Sequence, residues 1–291
     1  MSLGARLAGS PLVCHCCAVA ASLATECAES IRLASAGERP GWTKDPAGRE
    51  WVSEVDLQNE ALVADAVAKL FPGHALVGEE GGARPGEPDL PTWLVDPLDG
   101  TTNFLAGLPW VGVSISVSWR GQVVAGAVAD AYGRRVLLAR AGGGAWVAPQ
   151  GARGSVGGRF TAARVRACPQ GLSGQVVLTE LVGSQAWPGL GELAESLSRQ
   201  RASLRILGST SLTLAAVATG RAAAAVLADY HHLDTAASVL GASEAGAEVL
   251  ANPDENLLPS RPVPGLRGLV VASPGVAEEV LELFCAATTR A

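Results

Sequence analysis

The chain has 291 residues, 48% of them hydrophobic, with 22 Lys and Arg against 28 Asp and Glu for a formal net charge of −6. That length supports a substantial core and sits near the size at which one domain gives way to two. An acidic balance without a basic run argues against a nucleic-acid partner, because binding a phosphate backbone requires clustered Lys and Arg.

An amphipathic first helix is expected over residues 10–36. Arg6 before an apolar stretch mimics a secretory leader, but His15, three cysteines, Glu26 and Glu29 speak against one. Cys14, Cys16, Cys17 and Cys27 crowd into this helix, while Cys168 and Cys285 stand apart. Such adjacent helix positions cannot converge on one ion, so they read as buried or surface thiols of a reducing cytoplasm. Residues 37–49 read as a loop containing Lys44-Asp45-Pro46. Residues 56–70 show helical spacing, with Leu57, Ala61, Leu62, Ala64, Val67 and Leu70 sharing one side and Phe71-Pro-Gly as the stop.

Short strands at 75–77 and 92–95 deliver Glu79 and Asp96 at their ends. A hairpin over 111–119 and 122–129 turns at Arg120-Gly121, and strands at 135–139 and 145–147 complete a first lobe, residues 1–150. Residues 150–159 hold four glycines and read as a link. The second lobe, residues 151–291, alternates strands at 175–181, 203–207, 223–227, 247–250 and 268–272 with helices near 187–200, 209–219, 233–245 and 275–288, an α/β pattern. Residues 211–228 are almost wholly apolar, yet Gly220-Arg221 interrupts them, so no membrane span is expected.

The most informative segment is Trp93-Leu-Val-Asp-Pro-Leu-Asp-Gly-Thr-Thr-Asn-Phe104. Asp96 and Asp99 flank a proline that fixes φ, and Gly100-Thr101-Thr102 lets the backbone turn and present N–H groups beside the acids. Carboxylates next to amide donors suit a hard divalent cation bridged to a phosphate. A plain strand exit uses Asp, Pro, Gly and Thr for conformational reasons alone. The full run from Asp96 to Phe104 favours a site.

This run resembles the signature of the inositol monophosphatase family, magnesium-dependent and lithium-sensitive phosphatases. Further matches follow in the family's order: Val52-Ser-Glu-Val-Asp56, Val77-Gly-Glu-Glu-Gly81, Gly208-Ser-Thr-Ser-Leu212 with Val217-Ala-Thr-Gly220, and Leu233-Asp-Thr-Ala-Ala237. The resemblance spans roughly residues 40–250 and implies a layered α-β-α-β-α sandwich, an α+β or α/β architecture shared with fructose-1,6-bisphosphatase. It also implies two to three Mg²⁺ ions, a small phosphate ester as partner and a homodimer. By resemblance, Glu79, Asp96 and the Leu98 carbonyl hold one ion, while Asp96, Asp99 and Asp234 hold a second. Asp56 matches a position that helps order a third. Glu79 and Thr101 would orient and deprotonate the attacking water, and backbone N–H groups of Gly100, Thr101 and Thr102 would bind phosphate oxygens. Lys44 falls near the site without an assigned role.

Inositol-preferring members carry an acid seven positions before the Asp of their Trp-Asp pair; Leu227 stands there in this chain, and Leu233 replaces the tryptophan. Losing one charged hydrogen-bonding partner costs about 1.5–3 kcal/mol, so myo-inositol 1-phosphate is not expected as the main substrate. Ser209, Asp229, Tyr230, His231 and His232 are the polar groups left to read a sugar, cyclitol, amino-sugar or nucleoside phosphate. Magnesium prefers oxygen, which makes the two histidines surface or rim residues. Two alternatives stand beside this one. A haloacid-dehalogenase-type phosphatase needs two aspartates separated by one residue, whereas Asp96 and Asp99 are three apart with proline between. A relative that has lost catalysis and binds only metal or ligand is suggested by Leu227 and Leu233, although every expected metal-holding acid is present.

Overall fold

The computed structural model describes residues 9–48, 50–150, 160–165, 168 and 170–289. The expected glycine-rich link therefore lies, beyond Gln150, almost entirely outside the described residues. In chain order the elements are α1 (Pro11–Ala34), β1 (Gly41–Thr43), β2 (Trp51–Ser53), α2 (Glu54–Leu70), β3 (Ala75–Gly78), β4 (Gly82–Arg84), β5 (Thr92–Asp99), α3 (Thr101–Ala106), β6 (Gly112–Trp119), β7 (Gln122–Asp130), β8 (Arg135–Arg140), β9 (Gly144–Pro149) and β10 (Thr161–Ala162). There follow β11 (Val176–Thr179), α4 (Leu190–Arg199), β12 (Ser203–Ile206), α5 (Thr210–Ala218), β13 (Ala224–Leu227), α6 (His232–Glu244), β14 (Glu248–Ala251), β15 (Arg261–Pro262), β16 (Leu269–Ala272) and α7 (Ala277–Thr289).

Helix α1 opens on a proline, whose missing N–H costs nothing in a first turn. Val13, Cys16, Cys17, Ala20, Leu23, Ala24, Cys27, Ala28 and Ile31 recur at helical spacing and form its buried face, which packs on β6, β7 and β8. Among the described residues it is the one helix long and apolar enough to cross a membrane. Its inward face is spent on the core of this fold. No disulfide joins the described cysteines.

Strands β10-β9-β8-β7-β6-β5-β3-β4 form an eight-stranded sheet, antiparallel except where β3 runs parallel to β5. A second sheet of six strands runs β12-β11-β13-β16-β14-β15. Helices α1 and α2 cover the outer face of the first sheet, α5 and α6 lie between the sheets, and α4 and α7 cover the second. This is the α-β-α-β-α sandwich. The middle layer is common property: Leu94, Val128 and Leu137 of the first sheet share a core with Val217 and Leu240 of the inner helices and Leu178, Leu227 and Leu269 of the second sheet. Strand β10 lies beyond residue 150 yet pairs with β9, so the first sheet reaches past the boundary drawn from sequence.

Two local expectations need correction. Residues 41–43 are not loop but strand, paired antiparallel with 51–53 and joined through Lys44 N–H donating to the Glu50 carbonyl at 2.8 Å. Three-residue strands carry too little alternation to be seen, and the turn is organised instead by the Asp45 carboxylate, which accepts from the Ala47 and Glu50 amides. In α2 the buried residues are Val55, Asp56, Asn59, Glu60, Val63, Ala64 and Val67, while Leu57 and Leu70 are 44% and 52% exposed. Of the expected apolar side, Ala64 and Val67 are buried and Leu62 packs against the core, but the inward face also carries the polar anchors Asp56, Asn59 and Glu60, which apolar spacing does not mark.

The halves are joined beside the signature segment by Asn103. Its Nδ2 donates to the carbonyls of Trp110 (2.9 Å), Leu207 (2.7 Å) and Gly208 (3.2 Å). Replacing Asn103 by Ala leaves these buried acceptors unmatched and should lower stability by about 1–3 kcal/mol, read as a shifted urea midpoint at unchanged m value.

Candidate active site

Strand β5 is apolar through Trp93, Leu94 and Val95 and then exposes its chemistry. Asp96 pairs with Ser114 and Asp99 with Gly112, so three steps on β5 oppose two on β6, a bulge that re-aims the strand end. Gly100 then takes φ +96°, open to glycine at little cost, and α3 begins at Thr101. A side chain at Gly100 would also meet the carbonyl oxygens of Gly208 and Trp110 at 2.8 and 3.0 Å.

The Asp96 carboxylate is buried and accepts from the Leu98 amide at 3.0 Å. Asp99 is only 8% exposed, so it is not the solvent-facing acid its position in a turn suggests. It accepts from Ser209 Oγ (2.6 Å), Thr210 N (3.1 Å) and Ser211 N (2.6 Å). The N-cap residue Ser209 makes no side-chain cap of its own for α5. Asp99 therefore caps that helix from across the chain, with its negative charge at the positive end of the dipole.

Glu79 follows β3 and its amide donates to the Val95 carbonyl, which sets it alongside β5. Lys44, on the far side of the β1–β2 hairpin, places Nζ 3.0 Å from Glu79 Oε1 and also pairs with Glu80. The loop is gripped from beneath by buried Glu60, which accepts from the amides of Glu80 (2.8 Å) and Gly81 (2.6 Å). Asp234 sits in the first turn of α6. Asp56 completes a cap with Ser53, whose amide donates to it at 2.9 Å, and accepts the Thr101 hydroxyl at 3.2 Å. That hydroxyl lies equally close to the Leu98 carbonyl.

Burial and mutual repulsion shape the electrostatics of this neighbourhood. The Asp96 carboxyl is held well above the usual carboxylate range, first by burial and then by Glu79, Asp99 and Asp234. Asp234 is raised in the same direction by burial, Asp99 and Glu79, with Lys44 opposing. Burial also raises Asp99 and Asp56, against the hydrogen bonds each accepts. Glu80 is pushed up to about 7, chiefly by burial, with Lys44 opposing. Four acids from distant parts of the chain thus feel one another, with Lys44 the cation among them.

Among the described residues, no three His, Cys, Asp or Glu side chains are drawn together tightly enough to hold one metal ion. Asp99 is turned toward α5, and Asp96 toward its own loop. The donor chemistry nevertheless fits a hard divalent cation: oxygen donors only, crowded like charges and low water access.

A sequence model of the inositol monophosphatase family matches residues 15–289. The chain belongs to the inositol monophosphatase family. It is 34% identical over 290 residues to inositol-1-monophosphatase SuhB of Mycobacterium tuberculosis, covering 90% of this chain and 91% of that protein. The solved Mycobacterium tuberculosis SuhB aligns with TM-score 0.71 at 32% identity, covering 93% and 95% of the two chains. Nus factor SuhB of Vibrio cholerae is 30% identical over 210 residues, 71% of this chain and 74% of its own. The native structure of suhB from Bartonella henselae shares the fold with TM-score 0.78 at 23% identity, over 94% and 98% of the chains.

Other residues singled out from sequence are distributed as follows. Thr102 is exposed in the first turn of α3. Ser209, expected at the substrate rim, is buried and gives its hydroxyl to Asp99. His231 is exposed and precedes α6, His232 Nε2 lies 3.5 Å from Glu255, the Tyr230 hydroxyl donates to Glu255 at 3.1 Å, and Asp229 accepts from the Tyr230 amide. Leu227 is a core residue of β13, 1% exposed. Sequence reasoning missed Asn59, Glu60, Asn103 and Glu180. Glu180 is buried and accepts from Gly208 N and Thr213 Oγ1, steadying the segment that reaches Asp99. Asn59 donates toward the Cys27 and Pro97 carbonyls. The signal available was polar residues at inward helix positions.

Two outcomes follow. Asp99→Asn places an N–H₂ group among three donors, and should cost about 1–3 kcal/mol in urea unfolding even where no metal is present. Because Asp96 and Asp234 hold protons in the folded state at pH values where the unfolded chain has released them, metal-free protein should lose stability as pH rises above about 4. Tm measured in EDTA should fall across that window, and added Mg²⁺ should raise it most at the higher pH values.

Proposed function

We propose that this chain is a magnesium-dependent phosphatase that releases inorganic phosphate from small phosphate monoesters by attack of water. The observation that carries the reading is the shared electrostatic neighbourhood of Glu79, Asp96, Asp99 and Asp234 in a member of this family. Glu79, Asp96, Asp99, Asp234 and the Leu98 carbonyl would hold two to three Mg²⁺ ions. Bound there, magnesium supplies charge neutralisation for the phosphoryl oxygens, a lowered pKa for water and support for the departing alkoxide.

The chain's own groups divide the remaining work. Glu79 lies at the exposed side of the cluster, where it can accept a proton from water, with its orientation held by Lys44. The Thr101 hydroxyl, fixed between Asp56 and the Leu98 carbonyl, orders the floor on which that water would sit. First-turn N–H groups of α3 have no acceptor within the helix and suit phosphate oxygens, so Gly100, Thr101 and Thr102 are the proposed phosphate cradle. Tyr230 and the residues on either side of it, 229–232, form the proposed rim for the organic part of the ester. A homodimer in a reducing cytoplasm completes the reading, consistent with six cysteines that form no disulfide among the described residues.

The direct test is phosphate release from sugar, cyclitol, amino-sugar and nucleoside monophosphates with and without Mg²⁺. Release should require the metal, and Asp96→Asn should lower kcat/KM by roughly a hundredfold or more while circular dichroism is preserved. Saturable metal binding without release from any compound would point instead to a ligand-binding role.

A further inference from the structure

A cleft opens between the first sheet and helix α5, and Glu79, Asp96, Asp99 and Asp234 are not among the residues that line it. Val128 of β7, Leu137 of β8 and Val147 of β9 form one wall, and Leu212, Ala215, Ala216 and Thr219 form the other. The helix positions follow the i, i+3, i+4, i+7 spacing of a single face. Two of them are alanines, whose side chains end at Cβ, and the space left between helix and sheet is about 570 Å³. Voids larger than a water molecule are few inside folded domains, whereas small-molecule sites are clefts of roughly 300–1,000 Å³ with apolar walls and a few polar groups.

The charged residues of the lining are Arg134, Arg135, Arg164 and Arg221 against Asp130. Four guanidinium charges less one carboxylate leave an excess of three positive charges, in a chain whose net charge is −6. Arg221 lies 3.8 Å from Asp130, while the guanidinium groups of the other three have no hydrogen bond or ion pair among the described residues. The turn carrying two of them is fixed from several sides. Gln150 Nε2 donates to the carbonyls of Asp130 (2.8 Å) and Arg135 (3.1 Å), the Gly133 amide donates to the Asp130 carboxylate (2.7 Å), and Arg32 of α1 donates to the Ala131 carbonyl (2.8 Å). Arg134 holds φ +53°, a conformation uncommon outside glycine, and its carbonyl accepts from the Gln150 amide at 2.9 Å. Backbone held this way persists where its surroundings over-determine it, and such residues gather at ligand clamps. Guanidinium groups held together beside apolar walls repel one another, and an anion shared between them relieves that repulsion.

We infer that this cleft is a second ligand site, and that its ligand is a small organic anion with an apolar, ring-sized body. The body lies between the sheet and α5, and the anionic oxygens meet the guanidinium planes, which match such groups bidentately. The inference is independent of the phosphatase reading. At one end the cleft adjoins the candidate active site without sharing its acids: the Trp110 carbonyl accepts from Asn103, and Leu212 follows Ser211, whose amide donates to Asp99.

Anilinonaphthalene sulfonate joins aromatic rings to one anionic group, and phenyl naphthylamine keeps the rings without the sulfonate. Fluorescence titration with each compares wild type, Arg134→Glu/Arg164→Glu and Arg201→Glu/Arg267→Glu, the last being two exposed arginines outside the cleft whose reversal changes net charge equally. Expected is saturable binding of both compounds by wild type, the same in EDTA as with Mg²⁺. In Arg134→Glu/Arg164→Glu the sulfonate should bind about tenfold or more weakly while the neutral compound stays within about threefold of wild type. Arg201→Glu/Arg267→Glu should bind both as wild type does. Absence of saturable binding of either compound by wild type overturns the inference, as does a requirement for Mg²⁺, which would put the probe at the acid cluster. Unchanged sulfonate affinity in Arg134→Glu/Arg164→Glu, equal weakening of the two compounds there, or equal weakening of the sulfonate in the two double variants overturns it as well.

Discussion

Asp96 and Asp99 must stay together in a place from which water is largely removed, and much of the surrounding architecture answers that demand. Isolated buried carboxylates would take up protons instead of remaining charged. The fold meets the repulsion with partial positive charge drawn from several directions. The α5 N-terminus and the Ser209 hydroxyl face Asp99, the Leu98 amide faces Asp96, and Lys44 approaches Glu79 from the hairpin. In the proposed reading, what these groups leave unneutralised is the capacity for a divalent cation. A site that were already balanced would have no reason to bind one.

The same contacts explain why the site lies where the two sheets' territories meet. Asp99 and Asn103 both belong to the turn after β5, and both reach into residues 207–211. Glu180 holds that strip from the other side through Gly208 and Thr213. The second half of the chain therefore contributes a braced segment to the candidate site, and Asp234 is the acid it would add in the proposed reading. Since the middle apolar layer is built by both sheets, separating the halves would open core and site at once.

How much of this was legible depended on the kind of signal. The signature around Asp96 was readable because its residues are consecutive and each has a chemical reason. The first helix was readable because apolar residues recur at the helical period from Val13 to Ile31, and the long strands and inner helices because they are almost continuously apolar between turn residues. The orientation of α2 was readable only in part, through Ala64 and Val67, because Asp56, Asn59 and Glu60 occupy the rest of its inward face and serve neighbours 20 to 45 residues away in sequence. Polar residues that anchor a loop look, in sequence, like polar residues that meet water. Ser209, expected at the substrate rim, is buried for a related reason: its hydroxyl is given to Asp99, which caps α5 in its stead. Pairing across 110 residues leaves no local trace.

The hairpin shows how such hidden contacts tie a short surface element to the acids. Lys44 is tied to Glu79 and Glu80, and Ser53 at the far end of the hairpin is tied to Asp56, so both ends are fastened to the acid cluster. Residues between these attachments cannot move away from the cluster without breaking an ion pair or a helix cap.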